Sequence, residues 1–142
     1  MFDRTPWRRI AGFVVAFTLL LGFAAPAFAD DVVAQGSTWE KRTSKIKGEW
    51  KIVERNGRLF LQLGDGFKTK RAPDLKAFLT KTAPDGIKKK DLPADALRLG
   101  LLKSHKGAQE LPLPAGATID DYQSLIIHCE QYNKIWGVTA LP

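Results

Sequence analysis

The side chain with the most chemistry in it is the thiol of Cys129, the only cysteine of the 142-residue chain. It lies in the stretch YQSLIIHCEQYNKIWGVTAL, residues 122–141, directly after His128 and shortly before Tyr132 and Lys134. A thiol attacks or exchanges as the thiolate, and nearby cations stabilise that form. His128 and Lys134 are the cationic candidates in this stretch, with Tyr132 in the same loop, so Cys129 is a candidate catalytic or redox thiol. The other reading is a small hydrophobe: free cysteine is among the most buried residue types, and apolar surroundings quieten it. Spacing alone leaves both readings open.

Other site chemistries find no support. Two histidines, His105 and His128, and one cysteine cannot supply a four-ligand zinc set. His128 and Cys129 are adjacent, so on a regular strand they point to opposite faces and share a metal only across a bulge. There is no CxxCH for haem attachment, no CxxC dithiol and no cysteine set for an iron–sulfur cluster. Gly64-x-Gly66 lacks the third glycine and the following helix of a dinucleotide site. No motif gathers a serine nucleophile with a base. The expectation is a domain without metal or other cofactor, and without a recognisable hydrolase or nucleotide site.

The positioning elements begin after an expected export signal over residues 1–29. Arg4, Arg8 and Arg9 form a basic start, residues 10–23 an uncharged and mostly apolar run, and Ala27-Phe28-Ala29 a small-residue cleavage site. Cleavage there leaves residues 30–142 as a single domain in the periplasm or outside the cell, with no membrane attachment. That chain is large enough for one core without staples. Losing three arginines and Asp3 lowers the net charge from +7 to +5. This mild basicity suits an anionic envelope or an acidic partner and is too weak to indicate nucleic acid. A lone cysteine in an oxidising compartment cannot close an internal bridge.

Residues 30–35 read as a short leader and residues 36–41, around Trp39, as a first edge strand. Residues 46–54 and 58–63 flank Asn56-Gly57, the strongest short hairpin signal, because both turn residues tolerate positive φ. Residues 75–80 form another strand. Residues 81–93 turn polar through Pro84-Asp85-Gly86 and Lys88-Lys89-Lys90. The lysine triplet reads as a solvated loop, with a docking patch for phosphate or acidic protein as the alternative. A helical turn at 95–97 leads to a strand at 98–104. Residues 108–113 are extended, and Pro112 and Pro114 confine them to a sheet edge or strand end. A further helical turn falls at 119–122. In the final pair, alternation puts Leu125, Ile127 and Cys129 on one face and Ile126, His128 and Glu130 on the other. Trp50, Ile52, Leu59, Leu61, Leu79, Leu125 and Ile127 are the expected core. The sum is an all-β fold, a small sandwich or barrel of seven to eight mostly antiparallel strands.

In order along the chain, several pieces resemble the DM-13 domain family, also called the electron-transfer DM-13 domain. GEWKIVERNGRLFLQLGDGF is similar to the family's glycine-led hairpin, and Pro73-Asp74-Leu75 heads the strand that contains AFLT. LGLLKSHKGAQELPLP is similar to its L-G-x-L…G-x-Q-x-x-x-L-P segment. LIIHCEQYNKIWGVTAL is similar to its closing strand pair, with Cys129 on the characteristic cysteine and Tyr132 and Trp136 at aromatic positions. The resemblance runs over residues 48–141. One departure is His128, where tryptophan is usual. The resemblance implies a β-rich extracellular or membrane-linked domain with a redox or electron-transfer role through that cysteine. In larger proteins the family accompanies DOMON and b-type cytochrome modules.

Two functions follow. In one, Cys129 exchanges electrons or thiols with a redox protein partner. In the other, the domain is a non-catalytic binding module of the cell envelope. Cys129 then only packs, and exposed aromatics such as Trp39 or Tyr132 meet an envelope protein or glycan.

Overall fold

A computed structural model describes residues 29–142. The export segment expected over residues 1–29 therefore lies outside the described residues except for Ala29. The strands are β1 (Asp31–Gly36), β2 (Glu40–Lys41), β3 (Ile46–Lys47), β4 (Trp50–Arg55), β5 (Arg58–Leu63) and β6 (Lys68–Thr69). They continue with β7 (Leu75–Thr80), β8 (Leu97–Leu101), β9 (Gln109–Pro112), β10 (Ser124–Cys129) and β11 (Lys134–Ala140). All pairings are antiparallel. One sheet has the order β1-β4-β5-β9, the second β2-β11-β10-β7-β8, and β3 pairs with β6 alone. The two large sheets are open and stack as a sandwich; neither closes into a barrel.

The β4–β5 hairpin turns at Asn56-Gly57 with φ of 53° and 73°, as a type I′ turn requires. Alternation then aims Trp50 and Ile52 from β4, and Leu61 and Leu63 from β5, at the second sheet. That sheet replies with Leu75, Ala77, Leu79, Leu125, Ile127, Cys129 and Trp136. All the expected core residues are buried except Leu59, which is half-buried against this cluster.

A second apolar layer lies on the outer face of the β2–β8 sheet. Phe78, Ile126, Ile135 and Val138 pack there with Ile87, and Leu92 and Ala96 close over them. The polar segment between β7 and β8 thus contributes a lid of apolar residues. Strands β7 and β10 are buried on both faces along their whole length.

Several boundaries differ from expectation. Residues 31–36 are a strand, not a leader: β1 pairs with β4 across a bulge between Val32 and Ala34. The edge strand near Trp39 shrinks to β2, paired with β11. The strand expected over 46–54 breaks at Gly48, whose φ is 106°. β8 begins at Leu97 where a helical turn was expected, and ends at Leu101 rather than at residue 104. Pro84–Gly86 is a short 3-10 turn. The strand count rises because β2, β3 and β6 are two-residue ladders.

Candidate functional site

The closing hairpin positions the candidate residues, and a bulge decides which way each one faces. Ile127 pairs with Gly137 but His128 pairs with Ile135, so Trp136 is one residue extra on β11. The insertion turns the Trp136 ring into the inter-sheet core and lets both Ile135 and Val138 face the outer layer. It also projects the Trp136 carbonyl toward the chain leaving β2. There the amides of Arg42, Thr43 and Ser44 donate to it at 3.3, 3.1 and 3.1 Å.

Cys129 ends β10 and is fully buried, with 0% of its surface exposed. It belongs to the same apolar cluster as Leu75, Ile127 and Trp136. No side-chain hydrogen bond among the described residues involves its sulfur. His128 faces the other way, as the alternation predicts. Its ring meets Phe78 edge-on at 5.8 Å, and its Nε2 lies 3.3 Å from Asn133 Oδ1. Asn133 in turn donates to Asp91 at 2.8 Å, tying the β10–β11 turn to the lid segment. Tyr132 is 54% exposed at the tip of the turn, and Lys134 is exposed at the start of β11. The four residues are therefore neighbours in the chain but do not converge on the thiol. Trp39 is not the exposed recognition residue expected. It packs edge-on against Phe67 at 6.4 Å and donates to the Gly48 carbonyl at 3.0 Å.

His128 retains one unpartnered buried atom, Nδ1, and Trp136 another, its indole N–H. Burial pushes the His128 imidazole below its ordinary value, and Asn133 and the carboxylates of Glu130 and Asp74 only partly offset that. The native state thus holds His128 neutral while the unfolded chain protonates it. The unfolded state binds more protons, so stability is complete above the ordinary value of 6.5 and falls as the pH drops below it, until the folded ring titrates. Chemical denaturation of His128→Phe should show a flatter loss of stability than the parent just below that value. Parallel curves would contradict this assignment.

Beside His128, Lys76 is buried under the turn and paired with Asp74 at 3.2 Å and with Glu130. The Glu130 contact raises the Lys76 ammonium and lowers its own carboxyl. A buried lysine is tolerable only with such partners. Sequence reading missed this clamp, and the available signal was an acid on each strand at one end of the antiparallel β7–β10 pair: Asp74 precedes β7 and Glu130 follows β10. Among the described residues, no group of three or more His, Cys, Asp or Glu side chains could hold a metal ion.

Comparison with families places residues 38–141 in a match described as "Electron transfer DM13". The match takes in β2 through β11 together with Cys129, and among the strands of the described residues β1 lies outside it. Comparison with curated proteins gives no match, and comparison with solved structures gives none either.

Proposed function

The chain belongs to the electron transfer DM13 family, and from that premise we propose that it is an exported binding module of an electron-transfer system, in which Cys129 packs and does not react. The observation that carries this reading is the complete burial of Cys129 between the sheets, in an apolar cluster with Leu75, Ile127 and Trp136. Reactive cysteines sit in electropositive, partly exposed surroundings, whereas structural ones are enclosed. The electron-transfer role then belongs to the assembly: the domain recognises an envelope redox protein and brings it into position. Export rests on the basic start, apolar run and Ala27-Phe28-Ala29 site. The residue that follows that site, Asp30, is gripped by Arg55 at 2.6 Å and by Gln62 at 3.0 Å. The domain would thus begin where the leader ends.

A second reading keeps Cys129 as a redox thiol exchanging with a partner disulfide. It is favoured by the position of Cys129 as the last residue of β10, one step from an exposed turn whose opening would uncover the sulfur. One experiment separates the two. The protein is recovered from the envelope fraction with free thiols blocked, sequenced from its N-terminus, and run with and without reductant. The expected result is a chain starting at Asp30 that migrates as a monomer in both lanes. An intact Met1 would overturn export. A reductant-sensitive adduct that disappears in Cys129→Ser would establish the redox reading.

A further inference from the structure

Three chain segments converge on the outer side of the β10–β11 turn to form a basic groove. Lys41 and Arg42 come from the end of β2, Lys89 and Lys90 from the lid segment, and Lys134 from the start of β11; the groove encloses about 380 Å³. The lysine triplet is exposed, as expected of a solvated loop, and its backbone is anchored. The amide of Ile135 donates to the Lys89 carbonyl at 2.8 Å, which fixes the loop against β11. Arg42 acts as a brace: its Nε donates to the Ile87 carbonyl at 2.7 Å and one terminal nitrogen to the Pro84 carbonyl at 2.6 Å. Its remaining contacts are to Lys41 O and Glu40. The four lysines are exposed, and like charges held this close repel one another. Stability gives no reason for the arrangement, and an anionic partner relieves the repulsion.

We propose that this groove docks an acidic segment of a partner protein, an inference that rests on the binding-module reading and names its surface. The chemistry favours carboxylates over phosphate. Phosphate recognition prefers the free planar fork of an arginine, and the Arg42 guanidinium is spent on carbonyls and Glu40. The lysines remain as mobile point charges, suited to side-chain carboxylates. The groove's size admits one or two such side chains, not the continuous track of a nucleic acid backbone. Lys134 pairs across the hairpin with Cys129, so the partner would settle over the end of the sheet that carries the family's cysteine. Contacts of this kind speed association more than they tighten it, and they weaken with salt.

The test uses protein purified from expression of the full chain and a fluorescent hexaglutamate peptide, at ionic strengths of about 10 mM and about 1 M. Saturable binding is expected at low salt and its loss at high salt. Lys89→Glu/Lys90→Glu should weaken binding by about tenfold or more, and Lys41→Glu, from a different segment, should weaken it in the same direction. Lys103→Glu/Lys106→Glu alters the net charge equally but lies at another groove, and should leave affinity nearly unchanged. Melting curves of each variant verify folding. The proposal falls if no saturable binding occurs at low salt, or if the control reversal costs as much as the groove reversal. It also falls if inorganic phosphate, or vesicles containing phosphatidylglycerol, bind through these lysines while the peptide does not. The thiol experiment above is independent of all these outcomes, so the docking surface and the binding-module reading can fail separately.

Discussion

Gly48→Ala should lose about 3–5 kcal/mol of stability, enough to lower Tm by roughly 10–25 °C in a domain of this size. Two costs combine. Gly48 has φ of 106°, a conformation that side chains with a Cβ rarely adopt. An added Cβ would also stand 2.5 Å from the Phe67 Cα and 2.6 Å from the Gly66 carbonyl carbon, and neither backbone atom can rotate away. Phe67 is almost fully buried, and its amide and carbonyl are already committed to Gly64 and Gly107. The Gly48 carbonyl also accepts the Trp39 indole N–H, so the strain spreads into that side of the core. Gly57→Ala is the internal comparison: its φ is 73°, but nothing lies within 4 Å of the added carbon. Only the conformational cost applies there, about 1–2 kcal/mol. Equal losses in the two variants, measured by denaturant titration, would contradict the close approach of the two loops.

The contrast between those glycines marks what could be read in the sequence. Gly57 follows an asparagine between two alternating runs, a local pattern, and the hairpin was legible down to its turn residues. Gly48 is needed because a loop eighteen or so residues later presses on it, and no local pattern records that. β7 was placed to the residue because apolar side chains and turn residues bound it sharply. β1 was missed because its bulge breaks the alternation and leaves Val32 and Val33 exposed. The bulge at Trp136 was equally invisible. It adds no unusual residue type, yet it decides that Trp136 faces inward while Ile135 and Val138 face outward.

The same division runs through the candidate site. That Cys129 shares a face with Leu125 and Ile127, and that His128 points away, followed from strand parity. The depth of the thiol did not, because it depends on Leu75 and Trp136 arriving from other strands. His128 points to the outer face, where Phe78 meets its ring, and the apolar layer on that face is completed by Ile87, Leu92 and Ala96, spaced through a segment that otherwise reads as polar loop. Lys41, Lys89, Lys90 and Lys134 lie far apart in the chain, and only the ladders of the second sheet bring them to one groove.

A second large effect is expected at Cys129 itself. If its sulfur is reached only when the sandwich opens, native labelling should be suppressed by the equilibrium constant for that opening. For a domain stable by about 5 kcal/mol or more, that is a factor of roughly a thousand or greater. The most direct measurement is the rate of iodoacetamide alkylation of the native protein, near the ordinary thiol value of about pH 8.5, against the same protein in denaturant. Cys129→Ser serves as the blank. A packing cysteine predicts native labelling at least about a thousandfold slower than in denaturant, accelerating as denaturant approaches the unfolding midpoint. Native labelling within about tenfold of the denatured rate, or faster than it, would mean a reachable and activated thiol, and would contradict the account.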